Sequence, residues 1–332
     1  MKKILEKLFA YKTLDREEAR QVLTAVAKGQ YQETEVTAFV TVFLMRSITL
    51  PELQGFVDAL RDLMLPVHLG DAPVLDIVGT GGDGKNTFNI STLSCFIVAG
   101  AGQKVAKHGN YGASSVSGSS NVMEQLGYRF TNEEARLQEQ LNEAGICFLH
   151  APLFHPALKT VAPIRRSLGL RTFFNLLGPM VNPARPAFKL LGVSNGEIAR
   201  LYNYLLQEEG GSYRIIHTLD GYDEISLTSD TRVISESGER TCSALELGKR
   251  PVLAADLTGG NSVEEAARIF MAILQGKGTW AQNAVVLANA AMALHATGNF
   301  GDYEACYHRA VESLEQGAAY ATLEKLLALQ KN

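Results

Sequence analysis

Up to about residue 66 the apolar positions recur at helical spacing, and no strand-like run interrupts them. Asp15 and Glu18 form a capping box ahead of "REEARQVLTAVAKG", which Gly29 ends. Thr49 and Glu52 cap a later helix, with Pro51 in its first turn. Between them "TEVTAFVTVFLMRS" is apolar almost all round, the pattern of a helix that is buried or lies in a subunit interface. "LPVHLGDAP" then links this block onward.

From Val74 the pattern changes. "VLDIV" is a short apolar run ending in glycines, which predicts a buried strand. Helical "STLSCFIVAGAG", strand-like "KVAKHG", helical "NVMEQL" and "EEARLQEQLNEAG", and strand-like "ICFLH" follow. Further on, "FKLLGVS", "YRIIHTL" and "TRVISES" read as strands, with helical "GEIARLYNYLLQE" between the first two. From Val263 the chain is again largely helical. The alternation predicts a mostly parallel sheet covered by helices beside a small all-helical domain.

A chain of 332 residues suits one large domain or two unequal ones. Its 46% hydrophobic content is enough to fill a sizeable core. The net charge of −4 excludes a global basic field that would recruit nucleic acid, so any anion site must be a local concentration of donors. Cys95, Cys147, Cys242 and Cys306 lie far apart without a C-x-x-C pair, and three sit in apolar runs, as buried small side chains in a reducing compartment do. "MKKILEKLFA" opens with basic residues, but Glu6 and Lys7 interrupt its apolar part, which suits an amphipathic helix better than a signal peptide. No apolar run approaches the roughly 18 residues of a membrane span. A cytoplasmic protein with no membrane partner is expected.

"DIVGTGGDGKNT" satisfies one phosphate-binding pattern and nearly satisfies another. Gly79, Gly81 and Gly84 fit the G-x-G-x-x-G of a dinucleotide site, but no Asp or Glu follows between Asp83 and Glu124 to hold a ribose. Gly79, Gly84 and Lys85 approach a nucleotide P-loop, but Asn86 stands where a metal-ligating hydroxyl is needed. Both patterns set backbone N–H groups against phosphate.

The carboxylate-free stretch after this loop is rich in donors. Asn89, Ser91, Thr92, Ser114, Ser115, Ser117, Ser119 and Ser120 offer amides and hydroxyls, and Lys107 adds a point charge. Gly109, Gly112 and Gly118 let the backbone approach a ligand. "IST" and "SGSSN" each precede a predicted helix, where N–H groups and the dipole favour an anion. So many donors fit a sugar with separated phosphates better than a single phosphate.

Four motifs, "GTGGDGKNTFNIST", "KHGNYGASSVSGSSN", "HPALKTVAPIRRSLGLRTFFNLLGP" and "GYDE", resemble those of the anthranilate phosphoribosyltransferase family, in its order and over nearly the whole chain. The resemblance implies the fold shared with pyrimidine nucleoside phosphorylases: a helical domain over residues 1–66, joined by part of 160–186, and a larger α/β domain over 73–332 that binds 5-phosphoribosyl 1-pyrophosphate. It also implies Mg2+, anthranilate as acceptor in tryptophan biosynthesis, and a homodimer through the helical domains.

By the same resemblance, Gly79, Gly82, Asp83 and Thr87 form the first donor loop. Asn89, Ile90, Ser91 and Thr92 form a phosphate-binding helix start, with Ser91 also a Mg2+ ligand. Lys107, His108, Gly109, Asn110, Tyr111, Gly112, Ala113, Ser114 and Ser115 match the second loop, and Ser119 a further donor contact. Asn110 and Arg165 match positions that hold anthranilate, with Gly79 near it, and Asp223 and Glu224 match a second Mg2+ site. Two positions depart from the family pattern: Tyr111 and Gly112 stand where Arg and Ser are common, and Asn121 where Asp is common.

The residues themselves support this chemistry. Asp223 and Glu224 follow strand-like "YRIIHTLD" at a Gly-Tyr turn, where neighbouring carboxylates can face one metal. No general base is assigned, because the aromatic amine of anthranilate is already unprotonated at neutral pH. His108 is a base or a structural residue with equal reason, and His150 and His155 read as structural. Arg165, following a helical "HPALKTVAP", is a candidate cation, with Arg166 its solvated neighbour. Two other readings stand beside this one. A pyrimidine nucleoside phosphorylase would use inorganic phosphate and carry Ser-Gly-Arg in place of "KHGN". A nucleic-acid-binding relative without activity would be basic around its cleft.

Overall fold

The computed structural model describes residues 1–112, 116–248 and 250–330. The chain divides into two compact units: Met1–Pro66 with Ala151–Pro183, and Val67–His150 with Ala184–Asn332. In chain order the elements begin with helices α1 (Lys2–Phe9), α2 (Arg16–Ala27), α3 (Glu33–Met45) and α4 (Leu50–Leu63). Then come β1 (Leu75–Gly79), α5 (Ile90–Gly100), β2 (Val105–Gly109), α6 (Ser119–Gln125), α7 (Glu134–Glu143) and β3 (Ile146–His150). The short helices α8 (Ala151–Phe154), α9 (Ala162–Leu168) and α10 (Phe174–Leu177) follow, then β4 (Phe188–Gly192), α11 (Gly196–Glu209), β5 (Ser212–Thr218), β6 (Thr231–Ser235) and β7 (Gly238–Cys242). The chain closes with α12 (Ala244–Gly248), α13 (Val263–Leu274), α14 (Trp280–Thr297), α15 (Tyr303–Glu315) and α16 (Ala318–Ala328).

The helical unit starts where its capping residues dictate. Asp15 Oδ1 accepts from Glu18 N at 2.9 Å, and Glu18 Oε2 returns the bond to Asp15 N at 2.9 Å. Glu52 accepts from Thr49 N at 2.9 Å, and its carboxylate is buried because Arg46 and the Leu14 N–H also reach it. The all-round apolar α3 is explained by an aromatic cluster: Phe39 and Phe43 meet Phe56 of α4 and Phe173 of the later segment, with Phe56 and Phe173 stacked at 4.6 Å. Met45, at the end of α3, is 83% exposed, so this helix is not buried on every side.

The larger unit is built on a seven-stranded sheet in the order β3-β2-β1-β4-β5-β6-β7. The first five strands are parallel, as the alternation predicts. β6 and β7 add an antiparallel edge. The sequence reading missed β7, because "GERTC" is exposed along most of its length and carries no apolar face to read. α14 is apolar on nearly every side and packs against α5, α15, β4 and β5. Its many alanines keep side chains short where those elements converge. All four cysteines are free and buried. Among the described residues, no helix is long and apolar enough to cross a membrane.

Candidate active site

The strand order reverses beside β1, whose neighbours are β2 and β4. In an open parallel sheet this reversal opens a crevice beyond the carboxyl ends of the strands. Gly79, Gly109 and Gly192 end β1, β2 and β4 there, and the predicted donor loops leave from the first two.

The first loop is held by the acid turn that follows β5. Gly81 N donates to Asp223 Oδ2 at 2.7 Å, and Thr80 N donates to Gly192 O at 2.9 Å. Gly81 and Gly82 take φ values of 64° and 71°, a region costly for other residues. A side chain at Gly79 would collide with the Asp223 carboxylate, and one at Gly192 with the Asp223 backbone carbonyl. Asp223 therefore fills a notch that two glycines leave open.

Glu224 faces the start of α5. Its Oε1 accepts from Ser91 N at 3.0 Å, and its Oε2 lies 3.4 Å from the Thr87 hydroxyl. Desolvation raises the pKa of Glu224 well above the ordinary carboxylate range, and the charges of Asp223 and Asp83 push the same way. The Ser91 N–H and the Lys107 charge offset part of this. The acid turn is anchored from the core. Asn289 of α14 accepts from Ile225 N at 3.0 Å and donates to Ile225 O at 2.8 Å, and Thr218 Oγ1 donates to Glu224 O at 2.6 Å.

The predicted second loop begins at the end of β2. Lys107 is buried rather than exposed to a ligand: its Nζ donates to Ile77 O at 2.6 Å, and its charge bears on Glu224. His108 is also buried, and its backbone N–H donates to Asp76 Oδ1 at 3.2 Å. Asn110 O accepts from Ser120 N and Ser119 Oγ, each at 3.2 Å. Tyr111 donates its hydroxyl to Glu124 at 2.8 Å and sets its ring edge on His150, with centroids 4.9 Å apart. The tyrosine is thereby engaged with the protein itself. Ala113, Ser114 and Ser115 lie outside the described residues.

Several residues expected to be free donors are spent on the scaffold. Asn89 donates its amide to Ser117 O at 3.0 Å, Ser119 is engaged by Asn110, and Ser120 lies 2.9 Å from His150 Nδ1. Asn89 keeps one open capacity: its Oδ1 is buried with no hydrogen-bond partner among the described residues. Such an acceptor suits a ligand hydroxyl. Ile90 and Thr92 are buried in the first turn of α5.

Arg165 belongs to the helical unit. It lies inside α9 rather than after a longer helix: Pro156–Lys159 forms only a 3-10 turn, and α9 starts at Ala162 with Pro163 in its first turn. Burial lowers its pKa, and its guanidinium lies 5.5 Å from the centre of the Phe174 ring. Arg166 beside it is exposed.

The structure thus gathers Gly79, Thr87, Asn89, Ser91, Asp223 and Glu224 at one end of the sheet. The sequence reading missed Gly192, Asp76 and Asn289, which support that site. It also left Lys85 unassigned; its ammonium lies 4.6 Å from the centre of the Tyr222 ring. A glycine ending a strand, as Gly192 does, was the one signal available for these.

The two units have the character of a glycosyl transferase with a helical and an α/β part. Residues 2–64 match the family described as "Glycosyl transferase family, helical bundle domain", and residues 71–320 match "Glycosyl transferase family, a/b domain". The chain is 51% identical to an anthranilate phosphoribosyltransferase of Christiangramia forsetii over 332 residues, covering 100% of both chains. The crystal structure of the enzyme of that name from Thermus thermophilus superimposes with a TM-score of 0.91 at 33% identity, covering 99% of each chain. The Saccharomyces cerevisiae enzyme in complex with PRPP and Mg gives 0.89 at 25% identity, covering 98% of this chain and 96% of that one. The chain belongs to the anthranilate phosphoribosyltransferase family.

Proposed function

We propose that the chain transfers the phosphoribosyl group of 5-phosphoribosyl 1-pyrophosphate to the amine of anthranilate, giving N-(5-phosphoribosyl)anthranilate and pyrophosphate, in tryptophan biosynthesis. The observation that carries the reading is the Asp223–Glu224 turn, seated on Gly79 and Gly192 and facing the start of α5. It sets two carboxylates beside the N–H groups at a helix N-terminus, where a phosphate and its cation can share one site.

Mg2+ fits this donor set. Among the described residues no three His, Cys, Asp or Glu side chains form a cage of their own. Mg2+ favours a partial set, taking one or two carboxylates and completing its shell with water and substrate phosphate. Asp223, Glu224 and the Ser91 hydroxyl would hold it. A bound cation would offset the burial of the Glu224 carboxylate, the main cause of its raised pKa, and the repulsion from Asp223 and Asp83. When bound, Mg2+ neutralises charge on the departing pyrophosphate.

The protein's own residues do the remaining work. Gly82, Asp83, Thr87 and the first turn of α5 bind the donor on the first loop, and residues 109–115 with Ser119 bind it on the second. Asn89 Oδ1 accepts from a sugar hydroxyl. Lys107, buried beneath the site, supports it through its charge and the Ile77 carbonyl. Arg165 meets the carboxylate of anthranilate with a planar fork, and Asn110 adds a hydrogen bond. Because the amine needs no deprotonation before attack, holding it against the anomeric carbon supplies much of the rate.

Two copies associate through the helical unit, whose exposed Phe9, Tyr11 and Met45 offer apolar contact area, and the enzyme works in the cytoplasm. Sedimentation at micromolar concentration, with Met45→Glu as a control, tests the dimer. Loss of anthranilate fluorescence with the donor and Mg2+ tests the reaction. Phosphate-dependent cleavage of uridine or thymidine, with no loss of that fluorescence, would establish a nucleoside phosphorylase instead.

A further inference from the structure

We propose that Asn289, with Thr218 beside it, is a positioning residue for the metal site and acts through the backbone of the acid turn. The proposal rests on the reading of Asp223, Glu224 and the Ser91 hydroxyl as the donor set for Mg2+. Asn289 lies in the middle of α14 and is buried. Its amide spends both ends on one residue: Oδ1 accepts from Ile225 N at 3.0 Å, and Nδ2 donates to Ile225 O at 2.8 Å. Nδ2 also donates to Val285 O at 2.8 Å, which ties the amide to its own helix. Ile225 directly follows Glu224 and is itself buried. Thr218 Oγ1, at the end of β5, donates to Glu224 O at 2.6 Å. Glu224 O, Ile225 N and Ile225 O are successive polar groups of the main chain, and two buried side chains hold all three.

The same helix meets the other half of the donor set. Ser94 of α5, one turn after Ser91, shares its hydroxyl between Ile90 O at 2.9 Å and Val286 O at 3.2 Å. Val286 and Asn289 are one turn apart on α14. One helix therefore grips the acid turn through Asn289 and the start of α5 through Val286. The bond from Ser91 N to Glu224 Oε1 at 3.0 Å spans the gap between the two.

An amide is costly in the middle of a helix that is otherwise alanine-rich and apolar. An apolar side chain would fill the space, but none would hold both the N–H and the carbonyl of Ile225. The turn needs such a grip. Leu227, two residues beyond Ile225, is buried with a φ of 60°, a region that branched side chains rarely adopt. Released from Asn289, this backbone can relax and carry the Glu224 carboxylate away from Ser91. Residues that orient the ligands of a metal commonly change its affinity on the order of 10- to 100-fold.

The test compares Asn289→Ala with Met292→Ala, which truncates another buried side chain one turn further along α14 and leaves the amide in place. Hydrogen exchange of the peptide over residues 219–228 is followed in metal-free protein. Pyrophosphate is titrated calorimetrically with and without Mg2+, and activity is measured against Mg2+ concentration. Asn289→Ala is expected to speed exchange in that peptide and to raise the Mg2+ needed for half-maximal activity about tenfold. The gain in pyrophosphate affinity brought by Mg2+ should shrink by a similar factor, while the KM for anthranilate stays within about twofold of wild type. Met292→Ala should lose thermal stability and leave these readouts unchanged. Thr218→Val, of nearly the same shape, frees Glu224 O from the other side and should move exchange and Mg2+ response in the same direction; it decides the matter if circular dichroism shows that Asn289→Ala does not fold. Wild-type exchange and Mg2+ response in the folded variants, or a Met292→Ala variant with the same defects, overturns the proposal. Wild-type pyrophosphate binding that ignores Mg2+ overturns it together with the metal site. A wild-type chain that fails to consume anthranilate defeats the functional reading alone, while exchange and the pyrophosphate titration still decide the role of Asn289.

Discussion

Gly79 and Gly192 are register partners across the β1–β4 pair, and a side chain on either would enter the space that Asp223 occupies. Each strand ends in a residue with no Cβ, so the acid turn drops onto the carboxyl end of the sheet and Asp223 reaches the N–H of Gly81. The position of the carboxylate is thus decided by what two neighbouring strands lack.

Gly192→Ala should displace the Asp223–Glu224 turn, because the added carbon meets backbone rather than a flexible side-chain tip. Overpacking of this kind costs on the order of 1–3 kcal/mol. Denaturant midpoints and activity measured together should show a modest loss of stability with a disproportionate loss of kcat. Wild-type kcat would mean that the turn can shift without consequence.

Asp223→Asn with Glu224→Gln keeps an oxygen acceptor for both Gly81 N and Ser91 N while removing both charges. Circular dichroism should be unchanged. Activity at saturating donor should fall on the order of 100-fold, and its response to added Mg2+ should flatten. A double variant with the wild-type Mg2+ response would show that the cation is held elsewhere.

Arg165→Ala should raise the KM for anthranilate roughly tenfold by removing a charge-assisted contact. Donor affinity should hardly change, and the preference for anthranilate over aniline should shrink. Arg166→Ala, at an exposed position, should do far less. Kinetics of both variants with both amines checks this; undiminished discrimination by Arg165→Ala would remove the residue from the acceptor site.

His155 gives the helical unit a sensitivity to acid. Burial lowers its pKa from 6.5 to about 4, against a backbone hydrogen bond to Val181 that acts the other way. The folded value lies below the unfolded one, so this contribution to stability is fully present above pH 6.5 and is lost as pH falls towards 4. The loss approaches about 3 kcal/mol when complete. His155→Gln should therefore show a smaller drop in Tm than wild type between neutral pH and about pH 4. Equal drops would assign the acid sensitivity to other groups.

The helices and parallel strands were legible because each carries its own signal. Asp15 with Glu18 and Thr49 with Glu52 mark helix starts, and "VLDIV" and "ICFLH" are runs that only a buried strand accommodates well. Asp223 and Glu224 were legible as an acidic pair at a turn. Asn289 was not, because one asparagine within an alanine-rich helix says nothing of the distant Ile225 it holds. Lys107 was legible as a cation, but its burial depends on the neighbouring strand that supplies Ile77 O. Tyr111 read as a missing arginine until Glu124 and His150 appeared beside it. What stayed hidden is pairing between residues far apart in the chain, which no local pattern encodes.

The division of the helical unit into Met1–Pro66 and Ala151–Pro183 also sets an order of events on the ribosome. Phe56 emerges long before its stacking partner Phe173. At ordinary rates of synthesis the interval is on the order of ten seconds. Meanwhile β1, β2 and β3 emerge without β4, the strand that must flank β1 on its other side. The early helices and the first half of the sheet therefore wait with apolar surface uncovered. The nascent chain can finish the helical unit at Pro183, one strand before the sheet can close around its centre.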